Sequence, residues 1–82
     1  MSKLINEPVN VHVKEKEPMV TAFIWRKRLY RVSRVLSWWR EPAEWWCGQD
    51  IRFFVRVEAK GGGGVYELCR LGEQWFLNRI VD

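Results

Sequence analysis

Nine consecutive residues, Ile51 to Ala59, sort into two sets: Ile51, Phe53, Val55, Val57 and Ala59 fall on one side of an extended chain, and Arg52, Phe54, Arg56 and Glu58 on the other. Side chains of a strand point alternately to opposite faces, so this period belongs to a β-strand with one buried side. A slip of one position would turn the whole apolar set to water, which ties the strand to one register against a core. A half-buried strand needs neighbours, and the remainder of the chain has to supply them.

It does so in short extended runs. Met19 to Arg26 is rich in β-branched and aromatic residues, Arg26-Lys27-Arg28 turns the chain, and Leu29 to Trp39 reads as a returning strand. The even positions of that strand, Tyr30, Val32, Arg34, Leu36 and Trp38, are expected to face inward, with Arg34 the misfit among them. A helix over Leu29 to Arg40 is the rival reading, because the apolar positions also fall near a helical period. Glu41-Pro42-Ala43-Glu44 interrupts the pattern, and Trp45 to Asp50 is expected to form a loop or a short strand.

After Ala59, Lys60 and four glycines predict a mobile hairpin loop; a phosphate-cradling loop would need a following Lys-Ser/Thr and a helix. Val65 to Arg70, a tight turn at Leu71-Gly72-Glu73, and Gln74 to Val81 complete the set. At the other end, residues 1–8 look like a frayed lead-in and Val9 to Val13 a brief strand, so residues 1–17 are expected to be either a flexible arm or an edge strand. Residues 18–82 are expected to form one β domain. The expected fold is mainly β: a single-domain antiparallel meander of five to six strands, curled into a small barrel or half-barrel.

With 82 residues, the chain hides only about 60% of the surface its unfolded form exposes, so aromatics must carry much of the stability. Six Trp, four Phe and two Tyr supply them. The net charge of +4 is unevenly placed: residues 1–25 balance, residues 26–40 carry six Lys/Arg and no carboxylate, and residues 41–82 sum to −2. One short basic segment favours an anionic partner. Nine of the fourteen basic residues are Arg, the type suited to bidentate phosphate contact and to stacking on rings.

Enzyme chemistry fails on inventory. His12 is the lone histidine, and it with Cys47 and Cys69 cannot assemble the four ligands of a structural zinc site from one chain. Neither cysteine has a basic partner nearby in sequence to hold a thiolate, and Glu41 and Glu44 read as a charged loop. No cofactor, metal or small-molecule substrate is implied. Two cysteines without a signal-peptide pattern lead us to expect reduced thiols and a cytoplasmic location, and no apolar run reaches membrane-spanning length.

What remains is the combination of cations and rings. Arg52, Phe54 and Arg56 place a ring between two guanidiniums on the side of their strand opposite the core, and Arg26, Arg28 and Arg31 extend that surface if the hairpin packs alongside. The bland alternative is that Phe54 caps a second small core and the arginines are ordinary solvated charges. Trp38-Trp39 and Trp45-Trp46 are adjacent pairs, so in extended backbone the two rings of a pair point apart; Trp39 and Trp46, with Arg40 beside them, join the candidate surface. Stacking rings with a cationic track suit single-stranded nucleic acid, whereas exposed aromatics rimmed by Arg also suit a protein interface.

Phe23-Ile24-Trp25-Arg26, Tyr30-Arg31-Val32, Arg56-Val57-Glu58, Val65-Tyr66-Glu67-Leu68 and the run Trp75 to Asp82 together resemble a small bacterial domain family of unknown function associated with Y-family translesion DNA polymerase-like proteins. The resemblance covers about residues 20–82 and implies a DNA repair or damage-tolerance setting, with no activity and no catalytic residue to carry over. The expected function is therefore a non-enzymatic basic-aromatic module for nucleic acid, single-stranded DNA above all, accessory to repair or translesion synthesis. The alternative is a docking module for a polymerase-like or repair partner with no nucleic-acid contact.

Overall fold

Six antiparallel strands, each hydrogen-bonded to the next and the last to the first, close into a barrel in the computed structural model, which describes residues 3–13, 20–42 and 51–81. The strands are β1 (Lys3–Val13), β2 (Val20–Trp25), β3 (Arg28–Pro42), β4 (Ile51–Ala59), β5 (Val65–Leu71) and β6 (Gln74–Ile80). Closure leaves the meander without the two end edges of an open sheet, which are the usual templates for unwanted pairing. The half-barrel alternative is thereby settled in favour of the closed form.

Two strands turn the corners. β1 pairs with β6 from Lys3 to Val9 and with β2 from Asn10 to Val13, while β3 pairs with β2 from Arg28 to Arg31 and with β4 from Val32 onward. In β3 a bulge accompanies the change of partner, and in β1 irregularities lie to either side of it, at Leu4–Glu7 and His12–Val13; an unpaired extra residue bends a strand and increases its twist. The expected frayed lead-in is corrected here: from Lys3 the chain is already a barrel strand, paired first with β6 and then with β2.

β3 also corrects the simple alternation. Its partners run Val32 to Ala59, Arg34 to Glu58, Val35 to Val57, Ser37 to Arg56 and Trp38 to Val55, so Ser33 and Leu36 are the extra residues of two bulges. Tyr30 and Val32 face inward as expected; then Val35 takes the inner position in place of Arg34 and Leu36, and the second bulge returns Trp38 to the inner face. Putting a guanidinium in the core without a partner would cost far more than a bulge. The helical alternative for this segment is excluded, and the strand runs three residues past Trp39 to end at Pro42, where a missing N–H is tolerated.

The core is filled by Phe23, Val55, Val57, Leu68 and Leu77, all essentially inaccessible, with Trp25, Phe53 and Tyr66 around them. Burying one such side chain contributes about 1.5–3 kcal/mol relative to leaving it in water. Phe23 stacks on Tyr30 across the β2–β3 pair, centroids 5.0 Å apart, and meets Tyr66 edge-on at 5.4 Å.

Turns at one end of the barrel are tightly specified. Arg26 and Lys27 join β2 to β3 with φ of 52° and 63°, the left-handed pair a two-residue hairpin requires, although neither is glycine. Arg26 is held there by Glu7 and by its guanidinium lying 4.6 Å from the Trp25 ring centroid. The glycine run is the hairpin connection expected between β4 and β5, and it is hydrogen-bonded: Ala59 N–H donates to the Gly64 carbonyl at 2.9 Å, and the Tyr66 hydroxyl donates to the Gly63 carbonyl at 2.7 Å. Gly61 and Gly62 both sit at φ 71°, where a side chain would be strained. The expected linker around Lys14–Pro18 and the loop carrying Trp45 and Trp46 lie outside the described residues.

Candidate functional site

Where β3 leaves β2 the two strands splay, and the gap is a cleft of about 860 Å³. Apolar side chains, among them Val20, Val32 and Val35, line it, and His12, Arg31, Arg34 and Lys60 bring polar and cationic heads to it. No carboxylate is among its lining residues that are described. The Ser33 bulge makes the cleft: the extra residue swings β3 off β2 while keeping Arg34 on the outer face in register with Glu58.

Ion pairing sorts the remaining arginines. Arg26 donates to both oxygens of Glu7, at 2.8 and 3.3 Å, and the Trp25 indole N–H donates to the same carboxylate at 2.9 Å. Those bonds, Arg26 first and Trp25 second, hold the Glu7 carboxyl below its usual range. Arg34 meets Glu58 at 3.2 Å on an exposed surface, a contact that water and salt weaken readily. Arg56 meets Glu67 at 2.9 Å, and Asn78 donates to the other Glu67 oxygen at 2.6 Å. Glu67 is the buried acid of the described residues, only 6% exposed, so it needs both partners. Among the described residues, Arg28, Arg31, Arg40, Arg52, Lys27 and Lys60 make no ion pair.

The strip Arg52-Phe54-Arg56 does share one outer face, and Trp39 lies with it, directly opposite Phe54 in register. It is not an open stacking platform. Trp39 lies flat on Phe54, centroids 5.3 Å apart and planes within 4°, its indole N–H donates to Glu41 at 2.9 Å, and the Arg56 guanidinium sits 5.6 Å from its ring. Phe54 is left 6% exposed, as is its neighbour Cys69 at 7%, so the second small core weighed as the bland alternative is present at this place. Burial also pushes the Cys69 thiol up, away from thiolate.

The other expected residues separate. Arg26 closes the hairpin, Arg28 stands over Tyr30 at the same end of the barrel (5.7 Å), Arg31 lines the cleft, and Arg40 lies near the far end of β3. Trp46 lies outside the described residues. Arg34 and Lys60, which the cleft adds, were hidden in sequence by a bulge and a turn; the signal for Arg34 was its poor fit to the inner face. No group of His, Cys, Asp and Glu among the described residues is arranged to hold a metal ion.

No match was found among curated proteins or among solved structures. A family model matches the whole length, residues 1–82, and the chain therefore belongs to the family described as a domain of unknown function, DUF6504.

Proposed function

We propose that this barrel is a non-enzymatic, cytoplasmic module that binds single-stranded nucleic acid, with DNA in a repair or translesion setting as its target, and that the cleft between β2 and β3 holds the phosphodiester backbone. The observation that carries this reading is the cleft's lining: Arg31 and Lys60, which make no ion pair among the described residues, and Arg34, whose pairing with Glu58 is exposed, stand around apolar side chains, and no carboxylate is among the described lining residues. Guanidiniums fork onto phosphate oxygens, and a groove of one sign concentrates field lines on a polyanion. The tie to polymerase-like proteins rests on the sequence resemblance alone.

Fluorescence anisotropy of a labelled oligonucleotide across a salt series tests it. Affinity should fall as salt rises, and Arg31→Ala with Lys60→Ala should weaken binding and flatten the log–log salt slope by about 0.7 for each phosphate contact removed. No binding at low salt, or an unchanged slope in the double variant, rejects the cleft as the phosphate track. A protein-docking module is the second reading, favoured by exposed Leu36, Trp38 and Ile51 at 39%, 49% and 51%. Apolar docking would hold its strength as salt rises.

A further inference from the structure

Of the tryptophans whose place is described, three have a charged partner on the ring or the indole N–H: Trp25 donates to Glu7 beneath Arg26, Trp39 donates to Glu41 with the Arg56 guanidinium 5.6 Å from its ring, and Trp75 has the Arg70 guanidinium 5.7 Å from its ring. Trp38 differs. It is 49% exposed, yet its position is fixed: its backbone is in register with Val55 of the core, and its ring packs at 38° against Phe53, centroids 5.6 Å apart. The two bulges produce this outcome, returning the side chain to the inner face only after β3 has parted from β2. Arg40, two residues on and on the same face opposite Phe53, is exposed and makes no ion pair among the described residues.

Resting on the nucleic-acid reading above, we infer that Trp38 is a base-stacking subsite, taking one nucleobase of the strand whose phosphates lie in the cleft, with Arg40 meeting the adjacent phosphate. With Leu36 the extra residue of a bulge, three register positions separate Arg34 from Trp38, about 10 Å at about 3.3 Å per residue, a span of about three stacked nucleotides at about 3.4 Å each and fewer where the strand is stretched. An indole face accepts any base, so the subsite adds affinity without sequence preference. Prior packing of the ring on Phe53 lowers the ordering cost of that contact.

The test compares two probes of about twelve units, within the range a small barrel occupies: oligothymidylate and the same sugar-phosphate chain without bases. Wild-type protein should bind the base-bearing probe about tenfold more tightly than the abasic one. Trp38→Ala should erase that difference while leaving affinity for the abasic chain unchanged, and Trp38→Phe should keep most of it. Equal affinity of wild type for the two probes overturns the subsite without recourse to any variant, as does a folded Trp38→Ala protein that still prefers bases. In both of those outcomes the phosphate track stands, since the abasic chain still binds. Failure of both probes at low salt instead removes the nucleic-acid reading, and the subsite with it.

Discussion

Single arginines in this protein are divided between holding the fold and facing outward, and a carboxylate decides which. Glu7 is the clearest case, accepting from Trp25 and from Arg26 and thereby pinning a hairpin whose two central residues are left-handed. Its folded-state pKa lies below the ordinary 4.5, mainly through the Arg26 hydrogen bond, so the ionised form favours the fold. That contribution is present above pH 4.5 and is lost as pH falls through the lower folded value. The Trp25 indole N–H resonance should accordingly hold its position on acidification to about pH 4.5 and move below it, and Glu7→Gln should abolish the movement; a midpoint at or above the ordinary value would contradict the bonding described. Arg31, Arg40 and Lys60 have no such acid among the described residues, and the same chemistry therefore leaves them for a partner.

At the scale of an element, β3 decides where the candidate site lies. Val35 packs on the core and Leu36 is 39% exposed, the reverse of an uninterrupted alternation. Val35→Asp should cost about 2 kcal/mol or more in urea unfolding, whereas Leu36→Asp should stay within about 0.5 kcal/mol; equal costs would mean the bulges are absent in solution. The alternation of β4 was readable because nothing interrupts it, and the turn at Gly72-Glu73 because glycine marks it. The bulges were not, since Ser33 carries no signature of an unpaired residue, and the only sign of them was an arginine where the pattern wanted an apolar side chain. Arg52, Phe54 and Arg56 were placed on the right face for the same reason that β4 was legible. That Trp39 would lie over them, and Glu67 claim Arg56, depends on pairing between strands that no local pattern encodes.

For the molecule as a whole, closure couples the first strand to the last. Lys3 to Val9 pair with Trp75 to Ile80, and Val9 is a core residue. Removing residues 1–9 would uncover Leu77 and leave β6 with an unpaired edge. Such a truncation should lose cooperative thermal unfolding and aggregate at micromolar concentration, seen as a broadened melt and a collapsed amide spectrum. A sharp, wild-type-like transition would show that the remaining five strands stand alone.

The pairing of Lys3 with Ile80 has a practical side. This pair lies beside the start of β5, where Val81 N–H donates to the Val65 carbonyl, at the end of the barrel that the glycine turn closes, whereas β3 carries Trp38 and Arg40 toward the opposite rim. A dye or a biotin carried on the exposed Lys3 side chain would therefore sit at the pole away from Trp38, leaving the open indole unobstructed for immobilised measurements.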